Sequence, residues 1–298
     1  MPLTSLSLTL PSWLTDLVER YEAWRLPLRD WVDAGIDYLS TEFAGVFDAL
    51  NWFVETVTEQ LIVWLEAVPA LAFIVVIGLL AWRLSGWRVG LFSVLGLALI
   101  ANIELWSAFV ATLALVLSAE LIVVLIGLPL GIAAALSDTA EGFMKPGLDF
   151  MQTMPAFVYL IPAVIFFGIG IVPGVIATVI FAMPPLVRLT NLGIRQVPHE
   201  LVEAADAFGA TAWQKLVKVQ LPTAVPTIMA GVNQSIMLGL SMVVIAAMIG
   251  ADGLGRDVLR SINTLNLGLG FEAGLAVVIM AVILDRMTQG FSRRSPEA

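Results

Sequence analysis

The sequence predicts an all-α membrane protein with about seven transmembrane helices, its N-terminus outside and its C-terminus inside. Three observations predict it. Only 13% of the 298 residues are charged, against about 25% in a soluble domain. The 59% of residues that are hydrophobic fall in long blocks, the mark of membrane spans. Lys and Arg crowd into alternate connections between those blocks, as they do when one side is cytoplasmic. There is no cysteine, so disulfides and cysteine-ligated metals are excluded. The first basic residue is Arg20, so the positive start of a secretory signal is missing and the first span is expected to direct insertion itself.

The first element is an acidic tail, residues 1–66, with eleven acidic and three basic residues. It holds nearly all of the net charge of −9. A surface-wide acidic field is therefore not implied, and no nucleic-acid partner is expected. Within it, Val32, Ile36, Leu39, Phe43, Val46, Leu50, Phe53 and Val57 recur by threes and fours, with Asp33, Asp37, Glu42, Asp48 and Glu55 mostly off that stripe. This spacing predicts an amphipathic helix. One reading lays it flat on the outer membrane surface, bracing the bundle; the other makes it a short helical pair packed on itself. Its acidic polar face argues against binding anionic lipid.

The spans follow at roughly 67–82, 89–106, 108–136, 147–169, 172–190, 224–250 and 271–285. Backbone groups in lipid must bond internally, so each is read as a helix. Arg83, Arg88, Lys145, Arg188, Arg195, Lys215, Lys218, Arg286, Arg293 and Arg294 lie at one set of ends; only Arg256 and Arg260 lie at the other. The first set is expected to be cytoplasmic. The first two spans, within 67–106, are read as a peripheral scaffold. Residues 107–290 form the core, and 291–298 a cytoplasmic tail.

Residues 191–223 are then the longest internal loop. Pro198 suits a first helical turn. Leu201, Ala204, Ala205 and Phe208 share one face, among Glu200, Glu203 and Asp206. Gly209 breaks that helix, Thr211 and Gln214 have the spacing of a capping box, and Pro222 ends the second helix. Trp213, Leu216 and Val217 give the second helix an apolar side. The lone His199 is read as a solvated surface residue. The product is a helix–turn–helix knob with small alanines for close approach and carboxylates for charged hydrogen bonds.

These residues carry a resemblance. Glu203-Ala204-Ala205, Gly209, Val219 and Leu221-Pro222 are similar to the coupling motif of ATP-binding-cassette importer permeases, with Val219 in place of the usual Ile. A chance match at this spacing is about one in ten thousand for average residue usage. The runs QTMPAFVYLIPAVIFFGIGIVPGV (152–175), FAMPPLVRLT (181–190) and VPTIMAGVNQSIMLGLSMVVIAAMIG (225–250) resemble the glycine betaine/proline branch of that family. The resemblance implies a type I importer core in a bacterial inner membrane and a homodimer. It also implies two ATPase subunits, which bind ATP and Mg and dock the knob, and a periplasmic substrate-binding protein. Because the chain stops on the expected inner side, thirteen residues past the last span, that protein is expected to be a separate chain. The permease itself is then no enzyme and holds no cofactor. Nor does it carry a phosphate-binding Gly-Lys-Ser/Thr loop; Gly250–Gly255 reads as a turn.

The cargo path is read less sharply. Pro155 and Pro162, and Pro184-Pro185, are expected to interrupt spans four and five. Asn233, Gln234, Ser235 and Ser241, set among Gly231 and Gly239, mark either helix contact or a pore wall. Met154, Phe157, Met242 and Met248 are candidates to line a path for a trimethylammonium group, or to fill the core. Glu120 lies about 18 Å along a helix from residue 108. It either balances a passing cation or is protonated and bonded to a neighbouring helix. The cargo read from the resemblance is glycine betaine, with proline, choline or a sulfonium osmolyte as alternatives. An ion-coupled secondary transporter is the rival class, though no internal repeat is visible.

Overall fold

The computed structural model describes residues 26–292; residues 1–25 of the tail, and Arg293 and Arg294, lie outside them. Every regular element among the described residues is helical. The chain divides into two units, residues 1–48 and 49–298.

The first unit holds α1 (Leu28–Glu42) and the opening turn of α2 (Ala44–Ala67). Asp30 sits in the first turn of α1, where a carboxylate complements the helix dipole. No α1 residue is buried. Phe43 separates the two helices, so the stripe expected as one helix from Val32 to Val57 is carried by two.

In the second unit α2 presents three rows. Val54 and Thr58 are buried, with Leu65 packed on the core beside them. Leu50, Phe53 and Trp64 are exposed apolar residues on a second row. Glu55, Glu59 and Glu66 lie almost opposite that row at 100° per residue. At Pro69 the chain bends 100° into α3 (Ala70–Ser85). Gly86, at φ +97°, turns it into α4 (Trp87–Asn102). Each of these helices has 16 residues, about 24 Å of rise, short of a hydrocarbon core of about 30 Å.

The rest follows in order: α5 (Trp106–Leu136), α6 (Asp138–Thr153), a 3-10 turn (Ala156–Tyr159) and α7 (Leu160–Phe167). Then come α8 (Ile171–Arg195), α9 (His199–Ala207), α10 (Ala212–Lys215), a π turn (Leu216–Gln220) and α11 (Leu221–Ala247). The series closes with α12 (Leu254–Thr264) and α13 (Leu267–Ser292). Among the described residues four helices are long and apolar enough to cross a membrane: α5, α8, α13 and the continuous rod Ala212–Ala247. Counting each bent pair as one span gives six. All seven apolar runs are helical, but not all are straight spans. The first two are short helices folded on each other. The fourth is broken by 108° between α6 and α7.

Proline placement explains the difference. Pro155 lies at the break, heading the 3-10 turn, where its missing N–H stops the ladder. Pro162 instead sits in the first turn of α7, where no partner for that N–H exists anyway. Pro184 and Pro185 lie buried inside α8, which runs on unbroken. The half of the broken pair before Met154 is amphipathic rather than apolar. Ser137 caps it by accepting from Ala140 N at 3.3 Å.

α8 is the centre of the bundle, packed along α11 on one side and α5 on the other. Glycine permits the close approach. A Cβ on Gly231 would stand 3.1 Å from Leu186 Cα, and one on Gly193 3.0 Å from Thr227 Cβ. Val116, Val123, Val175, Leu186 and Val243 from these helices, with Met280 of α13, belong to one buried core. α12 was not expected. Its signal was present in Leu254, Val258 and Ser261, spaced by four and three, but it is too short and polar to read as a span.

Candidate functional site

The hairpin between α8 and α11 is built from local rules. Pro198 precedes α9, whose last turn closes with Phe208 N donating to Ala204 O at 3.1 Å. Gly209 adopts φ +75°, and Ala210 N reaches back to Ala205 O at 3.0 Å. These bonds satisfy the helix C-terminus in the manner that favours glycine. The capping box forms: Thr211 Oγ1 accepts from Gln214 N at 3.3 Å, and Thr211 N donates to Gln214 Oε1 at 2.9 Å. Lys215 Nζ then bridges both oxygens of Asp206 at 2.8 and 2.9 Å, tying α10 to α9.

The exterior of this hairpin is unusual for a surface. Phe208 is 93% exposed and Trp213 71%, with Leu201 and Val217 also uncovered. Glu203, Ala204 and Gly209 are exposed and Ala205 half-buried. His199 Nδ1 lies 3.1 Å from Glu203 Oε1, both well exposed. Leu216, in contrast, is buried with Ile194 and Ala224, beside Leu221, Ile132 and Ala135. The second helix therefore does not present one apolar side. Trp213 and Val217 face out, and Leu216 plugs the hairpin into the ends of α5, α8 and α11. Pro222 is exposed in the first turn of α11.

A second brace escaped sequence reading. Arg195, the last residue of α8, bonds Asp138 at 2.7 Å, Glu141 at 3.1 Å and the carbonyl of Ala134 at 2.9 Å. One turn earlier Asn191 donates to Glu141 at 3.0 Å. Arg188 holds Asp149 at 2.5 Å and Gln152 at 2.6 Å. The base of the hairpin is thus fixed to α5 and α6. The signal was the row Arg188, Asn191, Arg195 on one helix face. Its partners could not be assigned while residues 137–146 were read as a connection and 147–153 as the start of span four.

With this geometry in view, the comparisons with known proteins decide the family. Residues 127–295 match the family described as binding-protein-dependent transport system inner membrane component. The glycine betaine/carnitine transport permease GbuB of Listeria monocytogenes is 54% identical over 274 residues, covering 91% of this chain and 97% of that protein. The chain belongs to this family. The glycine betaine transport permease OpuAB of Bacillus subtilis is 49% identical over 265 residues, 89% of this chain and 94% of that protein. In fold, the methionine ABC transporter MetNI in an inward-facing conformation superposes with a TM-score of 0.58. The match is at 21% identity and covers 65% of this chain and 96% of that one. The protein is therefore an ABC importer permease, an inner membrane component with a type I importer fold.

The permease's expected path residues divide into three groups. Gln234 and Ser241 lie exposed on α11, and Met248 lies exposed as the residue that caps its end. They form one row with Pro226, Ala230 and Met237, because spacings of four, three and seven return to the same helix face. Phe157 is exposed and Met154 half-buried at the α6–α7 break. The others point elsewhere. Met242 is fully buried with Tyr159, Leu160 and Ala177. Asn233 donates to Asp285 at 2.8 Å and accepts from Thr288 at 2.7 Å, which ties α11 to α13. Glu120 is 9% exposed and faces Ser235. Among the described residues, no group of three or more His, Asp or Glu side chains is placed to share a metal ion.

Proposed function

We propose that this permease imports glycine betaine or a similar compact quaternary ammonium osmolyte as a homodimer, driven by two separate ATPase subunits and supplied by a separate substrate-binding protein. The observation that carries it is an identity of 49–54% over about nine-tenths of the chain to permeases named for glycine betaine transport. The hairpin supports the mechanical half. An exposed Phe208 and Trp213 beside small alanines offer a docking knob, and Leu216 and Arg195 fix its base to three core helices. Closure of the ATPases on ATP would draw two such knobs together and reorient the spans. By the charge asymmetry this hairpin faces the cytoplasm.

The exposed row of α11 supports the homodimer. Gln234 has no hydrogen bond within the chain among the described residues, and a bare side-chain amide is costly in hydrocarbon. A second copy across a water-filled path covers it. The N-terminal helices fit the same frame. The apolar row of α2 faces lipid and its acidic row faces outer water, with the helix lying in the membrane plane at 100° to α3.

The test is reconstitution in proteoliposomes with an ABC ATPase and a substrate-binding protein from the same organism. ATP-dependent uptake of labelled glycine betaine that survives collapse of proton and sodium gradients is expected. Uptake that follows those gradients and ignores ATP would return the chain to the ion-coupled class. Competition by proline, choline or a sulfonium analogue in the same vesicles ranks the alternative cargoes.

A further inference from the structure

Three successive turns of α5 meet the chain between residues 235 and 254. Thr112 Oγ1 accepts from Leu254 N at 2.8 Å. One turn on, Val116 Cγ1 stands 3.9 Å from where a Cβ on Gly239 would lie. One turn further, Glu120 meets Ser235, near the middle of both helices. Ser235 Oγ lies 2.7 Å from each carboxyl oxygen of Glu120 and 2.9 Å from the carbonyl of Val232. Both residues are buried. Among the described residues no Lys, Arg or His forms an ion pair with Glu120.

Proton counting decides what this contact is. Ser235 has one hydroxyl proton and three acceptors around it. If Glu120 were ionised, that single proton would serve two carboxylate oxygens, and a buried charge would lack a counter-charge. Such a charge is strongly disfavoured without a partner. If the carboxyl keeps its proton, it donates to Ser235 Oγ, and the hydroxyl donates onward to Val232 O. Each proton then has an acceptor, and no charge is buried. We propose that Glu120 is held as a neutral carboxylic acid whose O–H clasps α5 to α11 through Ser235. Glu120 is then a positioning residue. It presents no charge to a passing cation, and it sets α5 against the helix that continues into the hairpin.

The experiment is infrared spectroscopy of the full-length permease in bilayers at neutral pH, taken as a difference against Glu120→Gln. A protonated-carboxyl C=O band present in the parent and lost in E120Q is expected, and Ser235→Ala should shift it. The amide of E120Q can donate to Ser235 in the same place, so E120Q is expected to keep uptake within about twofold. S235A should move the folded-to-unfolded ratio by about three- to tenfold, the range of interhelical hydrogen bonds in membranes. No such band in the difference spectrum overturns the proposal, as does a band that S235A leaves unshifted. Collapse of uptake in an assembled E120Q overturns it too, because charge would then be required. The infrared arm needs no cargo, so it stands or fails apart from the substrate named above.

Discussion

Single residues in the hairpin carry distinct loads. Gly209 sits at φ +75° with open space where a Cβ would go, so backbone strain rather than crowding opposes substitution. Gly209→Ala should cost about 1 kcal/mol of local stability. It should leave the protein in the membrane while lowering cargo-stimulated ATPase activity; unchanged stimulation in the reconstituted complex would remove Gly209 from the coupling role. Glu203→Lys reverses a charge on an exposed surface and should uncouple without destabilising. Leu216→Ala empties a buried site and should cost about 2–5 kcal/mol, visible as a lowered unfolding midpoint in detergent. The contrast between the two classes is the check. An exposed knob residue should affect coupling alone, whereas the buried anchor should affect both.

Helices show where sequence reading reached and where it stopped. The hairpin was legible because its punctuation is local. Gly209 and the Thr211–Gln214 box act through bonds no more than five residues apart. The long apolar helices α5, α8, α11 and α13 were legible by composition. What escaped is set by partners distant in sequence. Met242 and Ser241 are neighbours in the chain, yet one is wholly buried and the other exposed, and the packing of the 3-10 turn, α7 and α8 decides which. Asn233 reads as pore-lining until Asp285 and Thr288 are found beside it. At this scale α2 makes a prediction. If its apolar row lies in lipid, brominated acyl chains should quench tryptophan placed there, as at Trp64. A tryptophan at Glu59, on the opposite row, should stay bright. Comparing the two as the sole tryptophan on α2, in variants with Trp52 replaced, tests the orientation, and equal quenching would reject it.

For the whole molecule, the absence of cysteine makes the assembly testable one thiol at a time. Ala230→Cys and Met237→Cys on the exposed row of α11, and Met248→Cys at its C-terminal cap, should cross-link to a second copy in native membranes. Met242→Cys, a neighbour in sequence but wholly buried, should not. Cross-linking at Met242 with none at Met237 would place the dimer contact on another face.

An unbroken helical rod runs from the hairpin into the bundle. Residues 212–247 form a single shaft, gripped near one end where Leu216 and Ala224 are buried. About 12 Å of shaft lies on the hairpin side of that grip and about 40 Å on the other, at 1.5 Å per residue. The far arm is held along its length as well, at Asn233 by Asp285 and Thr288 and at Ser235 by Glu120. If the hairpin docks a motor as proposed, a push at that end is expected to move α5 and α13 together with the shaft rather than bend it.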